Sequence, residues 1–274
     1  FYMSFLCFDH KLNELSIDKE FQYQRSFLYG DGHFSTAKVI DGEIQYLTSH
    51  IARLQNANDK LKFSQVDWLK LETILKQTAK RLTLGFIKIH FSRGQSLRGY
   101  GQCAQIKTTV FVSFGELTSP FVKTLSHPNT IKLTQLTTQL GLQPLLAGLK
   151  HCNRLEQVLA SAELEHTEFP DGLIADIQGN VIETTKANII WYHQGAWYTP
   201  SLINSGVRGV MLEQLLDQKL NIIQADTSMA FVSQQAEAMI VCNCLIGLQA
   251  VSSIDDRMLD VELSQKFMKE VSSA

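Results

Sequence analysis

Apolar residues recur at every second position in some stretches of this chain and at every third or fourth in others, and the two periods alternate along it. A period of two marks a strand with one buried face, and a period near 3.6 marks a helix with one buried stripe. A chain that switches repeatedly between them, with no internal repeat or low-complexity tract, folds as a mixed α+β or α/β protein. Phe86-Ile87-Lys88-Ile89-His90-Phe91 alternates as a strand should, and Val110-Phe111-Val112-Ser113-Phe114 is a short apolar strand. Phe34 to Tyr46 reads as two strands joined at Ile40-Asp41-Gly42-Glu43, because Asp-Gly supplies the positive φ angles of a tight hairpin turn. Thr48 or Ser49 is expected to cap a helix whose Ile51, Leu54, Ala57 or Asn58, and Leu61 share one face. A second helix is expected from Asp67 to Leu84, stopped by Gly85.

From Phe114 to Ile131 the composition shifts to Gly, Thr, Ser, Pro and Asn, which predicts a linker over 116–129 between a small domain, 1–115, and a larger one, 130–274. In the larger domain Leu155, Val158, Leu159 and Ala162 mark a helix, and Leu173 to Ile177 and Val181 to Ile190 flank Gln178-Gly179-Asn180 as a hairpin. Val210 to Leu220 reads as a further helix, with strands around Ile222-Ile223 and Met239-Ile240-Val241.

Composition narrows the function classes. The 274 residues carry 25 Lys+Arg against 27 Asp+Glu with no long basic run, which argues against nucleic acid or a membrane surface as partner. No apolar stretch reaches the roughly 18 to 20 residues of a membrane span, and the first ten residues lack the basic and apolar regions of a signal peptide. The expected location is the cytoplasm, with Met3 as the native start. Five cysteines, an odd number, argue against a disulfide framework. Cys242-Asn243-Cys244 follows an apolar strand and reads as small core residues more readily than as a metal or redox pair. The eight histidines form no pair at metal-ligand spacing, so no metal is expected.

Individually, few residues point to chemistry. Gly206-Val207-Arg208-Gly209 precedes a predicted helix, where free N–H groups and the helix dipole favour an anion. Lys150, in Ala147-Gly148-Leu149-Lys150-His151, follows an apolar run that would desolvate its amine and favour the uncharged, nucleophilic form. Glu183 is a carboxylate at the end of a strand, and a salt-bridge partner is its plain reading.

The ordered set says more than its members. Tyr29-Gly30-Asp31-Gly32-His33-Phe34, His50-Ile51-Ala52-Arg53-Leu54, Leu149-Lys150-His151, Glu183-Thr184-Thr185-Lys186-Ala187-Asn188 and Gly206-Val207-Arg208-Gly209-Val210 resemble the fold-type IV pyridoxal-phosphate enzymes. That family includes branched-chain and D-amino-acid aminotransferases and aminodeoxychorismate lyase. The resemblance runs from about Arg25 to Val251. Gln24 stands where the family usually has an aspartate, and the Asn-Gly turn of the family's first hairpin is replaced by Phe8-Asp9-His10-Lys11. The runs Ser92 to Tyr100 and Ala147 to Leu159 are most similar to the lyase branch.

The resemblance implies a two-domain fold, a small α/β domain and a larger β-barrel-like one, with pyridoxal 5'-phosphate as cofactor and a homodimer as assembly. It implies that Lys150 carries the cofactor as a Schiff base and that Glu183 faces the pyridine nitrogen. Arg53 would bind the phosphate, joined by the N–H groups of Val210 and Met211 and by the Asn243-Cys244 turn. Arg98, with Arg93 or Tyr100, is implied for the substrate carboxylates. The expected reaction is conversion of 4-amino-4-deoxychorismate to 4-aminobenzoate and pyruvate. An aminotransferase for a branched-chain or D-amino acid would use the same cofactor residues, and a non-catalytic protein on this fold is the more distant alternative.

Overall fold

The computed structural model describes residues 4–9, 11–14, 23–95, 99–101, 106–117, 130–218 and 220–273. These fall into two compact units: residues up to 117 together with Lys150–Asn153, and 130–149 together with 154–273. The expected linker lies outside the described residues from 118 onward. Glu116 still pairs with Gly85 in a strand, and Leu117 is buried.

The first unit is built on a five-stranded antiparallel sheet. Its strands are β1 (Ser4–Phe8), β2 (Gly32–Ile40), β3 (Glu43–Ile44), β4 (Leu84–Ser92) and β5 (Thr109–Glu116), in the order β1-β5-β4-β2-β3. Asp41 and Gly42, at φ 49° and 80°, make the expected tight turn between β2 and β3. A short helix α1 (Arg25–Tyr29) precedes β2 and ends on Gly30 at φ 65°. Helices α2 (Leu47–Leu61) and α3 (Trp68–Ala79) cover one sheet face, with Ile51, Leu54, Leu71 and Leu75 packed on Val39, Ile87, Ile89 and Val112.

Two expectations shift. The residue before α2 is Tyr46 in a left-handed conformation, and no side chain caps the helix. Asp67 does cap α3, accepting from Lys70 N at 3.0 Å, but the helix stops at Ala79 and Gly85 lies in β4 instead of ending a helix. A Cβ at Gly85 would stand 2.6 Å from Gly115 O, so glycine is there for a close strand approach.

The second unit holds β6 (Ile131–Leu140), α4 (Leu155–Leu164), β7 (Asp171–Asp176), β8 (Val181–Thr184), β9 (Asn188–His193), β10 (Ala196–Thr199), α5 (Val210–Asp217), β11 (Ile222–Gln224), α6 (Met229–Gln235), β12 (Ala238–Asn243), β13 (Gly247–Ile254), β14 (Arg257–Met258) and α7 (Val261–Ser273). Its mixed sheet runs β11-β10-β9-β12-β13-β6-β7-β8, with β14 paired to β13. The ladders β13–β6, β6–β7 and β10–β11 are parallel. Trp191, Met239, Val241 and Val251 fill the core on one side, and Ile190, Leu212, Leu215 and Cys242 on the other. Cys242 is fully buried, and burial pushes its thiol far above the usual range, in keeping with its reading as a core residue.

The hairpin expected across Gln178-Gly179-Asn180 is present, with β7 and β8 antiparallel, but its second strand, expected from Val181 to Ile190, is interrupted. Thr184 and Ala187 bond each other across a turn, and buried Asp171 accepts from the hydroxyls of Thr184 and Thr185 at 2.9 and 2.6 Å. Helix α4 is present, but Leu155, Val158 and Leu159 are 77%, 59% and 62% exposed, so the apolar stripe that marks the helix does not face the core. Glu163 ties α4 to β6 instead, accepting from both the N–H and the hydroxyl of Thr137 and Thr138. Among the described residues, no helix is long and apolar enough to cross a membrane.

Candidate active site

In the first unit the segment Lys150–Asn153 lies against β2. Phe34 N donates to Lys150 O and Cys152 N to Gly32 O, both at 2.9 Å. The sequence reading assigned Lys150 to the second domain; this pairing with the edge of β2 is why its backbone belongs with the first. The Lys150 amine sits 5.0 Å from the centroid of the Phe34 ring, where a cation meets the negative face of the aromatic quadrupole.

Side chains alternate along β2, so Phe34 points to one face of the sheet while His33 and Ser35 point to the other, under α2. There His33 Nε2 meets Asn58 Oδ1 at 2.8 Å and the ring stacks on Phe91. Ser35 Oγ lies 2.6 Å from His50 Nδ1 and accepts a hydrogen bond from Arg53. The fork of Arg53 is thus oriented by a hydroxyl.

Burial keeps three histidines of this unit uncharged. It lowers His33 and His90 to about 4 and His50 to about 3. In the unfolded chain each would take a proton near the ordinary histidine value of 6.5. Stability is therefore complete above about pH 6.5 and falls as the pH drops toward 4, by about 1.4 kcal/mol per pH unit for each histidine that stays neutral in the fold. Denaturant unfolding at pH 7, 6 and 5 should show this decline, and His90→Gln should reduce its slope by one proton. A stability independent of pH over that range would contradict the assignment.

The arginines expected for substrate divide. Arg98 lies outside the described residues. Arg93 is 7% exposed and fully engaged: Nε donates to Asp31 at 2.8 Å, and the two terminal nitrogens donate to Leu61 O and Lys62 O at the end of α2. It closes a helix terminus. Arg25 shares the Asp31 carboxylate and donates to the carbonyls of Gly99, Tyr100 and Gly101, fixing the backbone of that loop. Tyr100 itself is 82% exposed.

In the second unit Glu183 ends β8 with 5% exposure. Its carboxylate accepts from Val207 N at 2.9 Å and from Gln157 Nε2 at 3.3 Å. The Val207 loop is closely built. Gly148 pairs with Gly206 and Arg208 through backbone bonds of 3.0 Å, and Asn188 accepts from Gly209 N at 3.1 Å while donating to Val207 O at 2.7 Å. A Cβ at Gly209 would stand 2.1 Å from Asn188 Oδ1, so only glycine allows that bracing. Gly209 begins α5 without a side-chain cap, and the N–H groups of Val210 and Met211 lie in the first turn, at the positive end of the dipole.

Asn243 shapes the turn expected to offer backbone N–H donors. Its Oδ1 accepts from Leu245 N and Ile246 N and its amide donates to Lys186 O, so the side chain closes its own turn, with Cys244 buried beside the core. Ser35, Phe34, Gln157 and Asn188 were not singled out from sequence. A signal existed for Ser35: the period of two places a polar residue on the buried face of β2.

In the first unit a lysine amine can capture an aldehyde and an arginine can bind an anion. In the second, an uncapped helix start can bind an anion, and a buried carboxylate suits a basic ring nitrogen.

The profile of the amino-transferase class IV family matches residues 32–254. The chain is 38% identical over 235 residues to an aminodeoxychorismate lyase of Vibrio harveyi, covering 84% of this chain and 85% of that protein. Its structure is similar to a 4-amino-4-deoxychorismate lyase from Pseudomonas aeruginosa, with a TM-score of 0.84, 30% identity and 98% of each chain covered. A hypothetical aminotransferase from Mycobacterium tuberculosis, solved in a PLP-bound form, shares the fold with a TM-score of 0.78 at 14% identity, covering 98% of each chain.

Proposed function

The chain belongs to the amino-transferase class IV family, and from that premise we propose that it is a lyase that converts 4-amino-4-deoxychorismate to 4-aminobenzoate and pyruvate with pyridoxal 5'-phosphate as its cofactor. The observation that carries the lyase reading is that the sequence relative at 38% identity and the structural relative at 30% are both aminodeoxychorismate lyases. The aminotransferase structures, at 14% to 19% identity, share the fold alone.

Lys150 would hold the cofactor's aldehyde carbon at rest. Arg53 and the N–H groups of Val210 and Met211 would bind the phosphate, and Glu183 would keep a proton on the ring nitrogen. When bound, the cofactor supplies an electron-accepting ring for the pair released by C–H cleavage. Lys150 Nζ would then be the base that takes the proton from the amine-bearing carbon of the substrate. Departure of the neighbouring enolpyruvyl group then leaves an aromatic ring, which makes the step strongly downhill. The carboxylates of the substrate need cations, and Arg98 is proposed for that part.

The proposal includes a homodimer; the exposed Leu155, Val158 and Leu159 form the kind of apolar stripe that a second subunit covers. A 2-oxo acid separates the lyase from the aminotransferase. The lyase turns over at the same rate with and without it, whereas an absolute requirement for it would select the aminotransferase.

A further inference from the structure

We propose that Ser35 and His50 are positioning residues that fix the guanidinium of Arg53 in the orientation that meets the cofactor phosphate. This rests on the reading of Arg53 as the phosphate's cationic partner and extends it to what holds that cation in place.

Ser35 on β2 and His50 on α2 are both completely buried, and His50 precedes Arg53 by one helical turn. Arg53 Nη2 donates to Ser35 Oγ, which lies 2.6 Å from His50 Nδ1. A guanidinium has only donors, so the serine oxygen must accept from it. The same oxygen keeps a second lone pair and a hydroxyl hydrogen, so it bonds His50 Nδ1 as donor or acceptor according to the imidazole tautomer, and the three groups form one hydrogen-bonded chain from arginine through serine to histidine.

His50 Nε2 is buried with no hydrogen-bond partner among the described residues. A leucine at position 50 would fill the space without stranding a polar atom. Packing alone therefore gives no reason for a histidine, whereas the bond between Nδ1 and Ser35 does. Burial and the nearby Arg53 lower the imidazole to about 3 and hold it uncharged, so it adds no second cation beside Arg53. An arginine free to rotate must lose rotamer freedom when it grips an anion. Pinned in advance by Ser35, Arg53 has less to lose, and the pair raises affinity for the phosphate without touching it.

The test compares dissociation constants for pyridoxal phosphate and for pyridoxal, which lacks the phosphate, measured on the full chain by the visible absorbance of the bound ligand. Arg53→Leu should weaken pyridoxal phosphate by about a hundredfold, and Ser35→Ala and His50→Leu by about tenfold each. Pyridoxal should bind all of them as it binds the wild type. His50→Asn, whose Oδ1 can stand where Nδ1 stood, should restore the affinity. Equal weakening of both ligands in Ser35→Ala and His50→Leu would make the pair a packing element and overturn the proposal, as would unchanged affinity for pyridoxal phosphate. If Arg53→Leu itself bound pyridoxal phosphate normally, the phosphate assignment of Arg53 would fall, a result distinct from failure of the pair. Ser35→Ala deletes one buried atom and decides the matter alone if His50→Leu does not fold.

Discussion

Lys150→Ala should lower turnover by about ten-thousandfold and abolish the visible absorbance of the protein saturated with pyridoxal phosphate. The backbone around position 150 is held independently of the side chain: Lys150 O accepts from Phe34 N, and Cys152 N donates to Gly32 O. Alanine keeps both bonds and removes the amine, with its contact to the Phe34 ring. The loss should therefore be chemical, with the melting temperature of the cofactor-free protein changed by no more than about 2 °C. Lys150→Arg tests the same point differently. It keeps the positive charge over the ring but cannot release a proton near neutral pH, so it should be as inactive as the alanine variant. Borohydride treatment should attach the cofactor to Lys150 in the wild type and leave both variants unlabelled. Full turnover in Lys150→Ala would remove this residue from the mechanism.

Glu183→Gln carries the second large effect, a fall in kcat of about a hundredfold with little change in stability. Glutamine is nearly isosteric, and its carbonyl can still accept from Val207 N, so the loop that leads to α5 keeps its bracing. What disappears is the negative charge that would hold a proton on the ring nitrogen. Glu183→Ala is expected to behave differently. It leaves the buried Val207 N–H without its acceptor, which costs about 1 to 3 kcal/mol, and it adds unfolding to the catalytic loss. A glutamine variant with wild-type kcat would show that this carboxylate serves the loop alone.

Much of the scaffold was legible because its causes are local. Asp41-Gly42 specifies its own turn, Asp67 its own helix cap, and the alternation of Phe86 to Phe91 its own strand. The expectations that moved depend on distant partners. Gly85 resembles a helix stop, but the reason for it is a carbonyl on β5, thirty residues away, at Gly115. Thr184 to Ala187 forms a turn because Asp171 on the adjacent strand binds two threonine hydroxyls. Arg93 has the composition of an anion ligand, and only the fold places its fork on the carbonyls of Leu61 and Lys62. The candidate site divides in the same way. Lys150, Arg53 and Glu183 stood out through the order of the motifs. The residues that hold them, Ser35, His50, Asn188 and Gln157, act through hydrogen bonds between elements far apart in sequence.

The most direct test of the central claim is a product balance. Purified protein loaded with pyridoxal phosphate is incubated with 4-amino-4-deoxychorismate in the absence of any 2-oxo acid, and 4-aminobenzoate and pyruvate are quantified together. The lyase reading predicts equimolar formation of both until the substrate is consumed, with neither product formed by Lys150→Ala. Failure to form 4-aminobenzoate, or its formation only when an oxo acid is supplied, would contradict it.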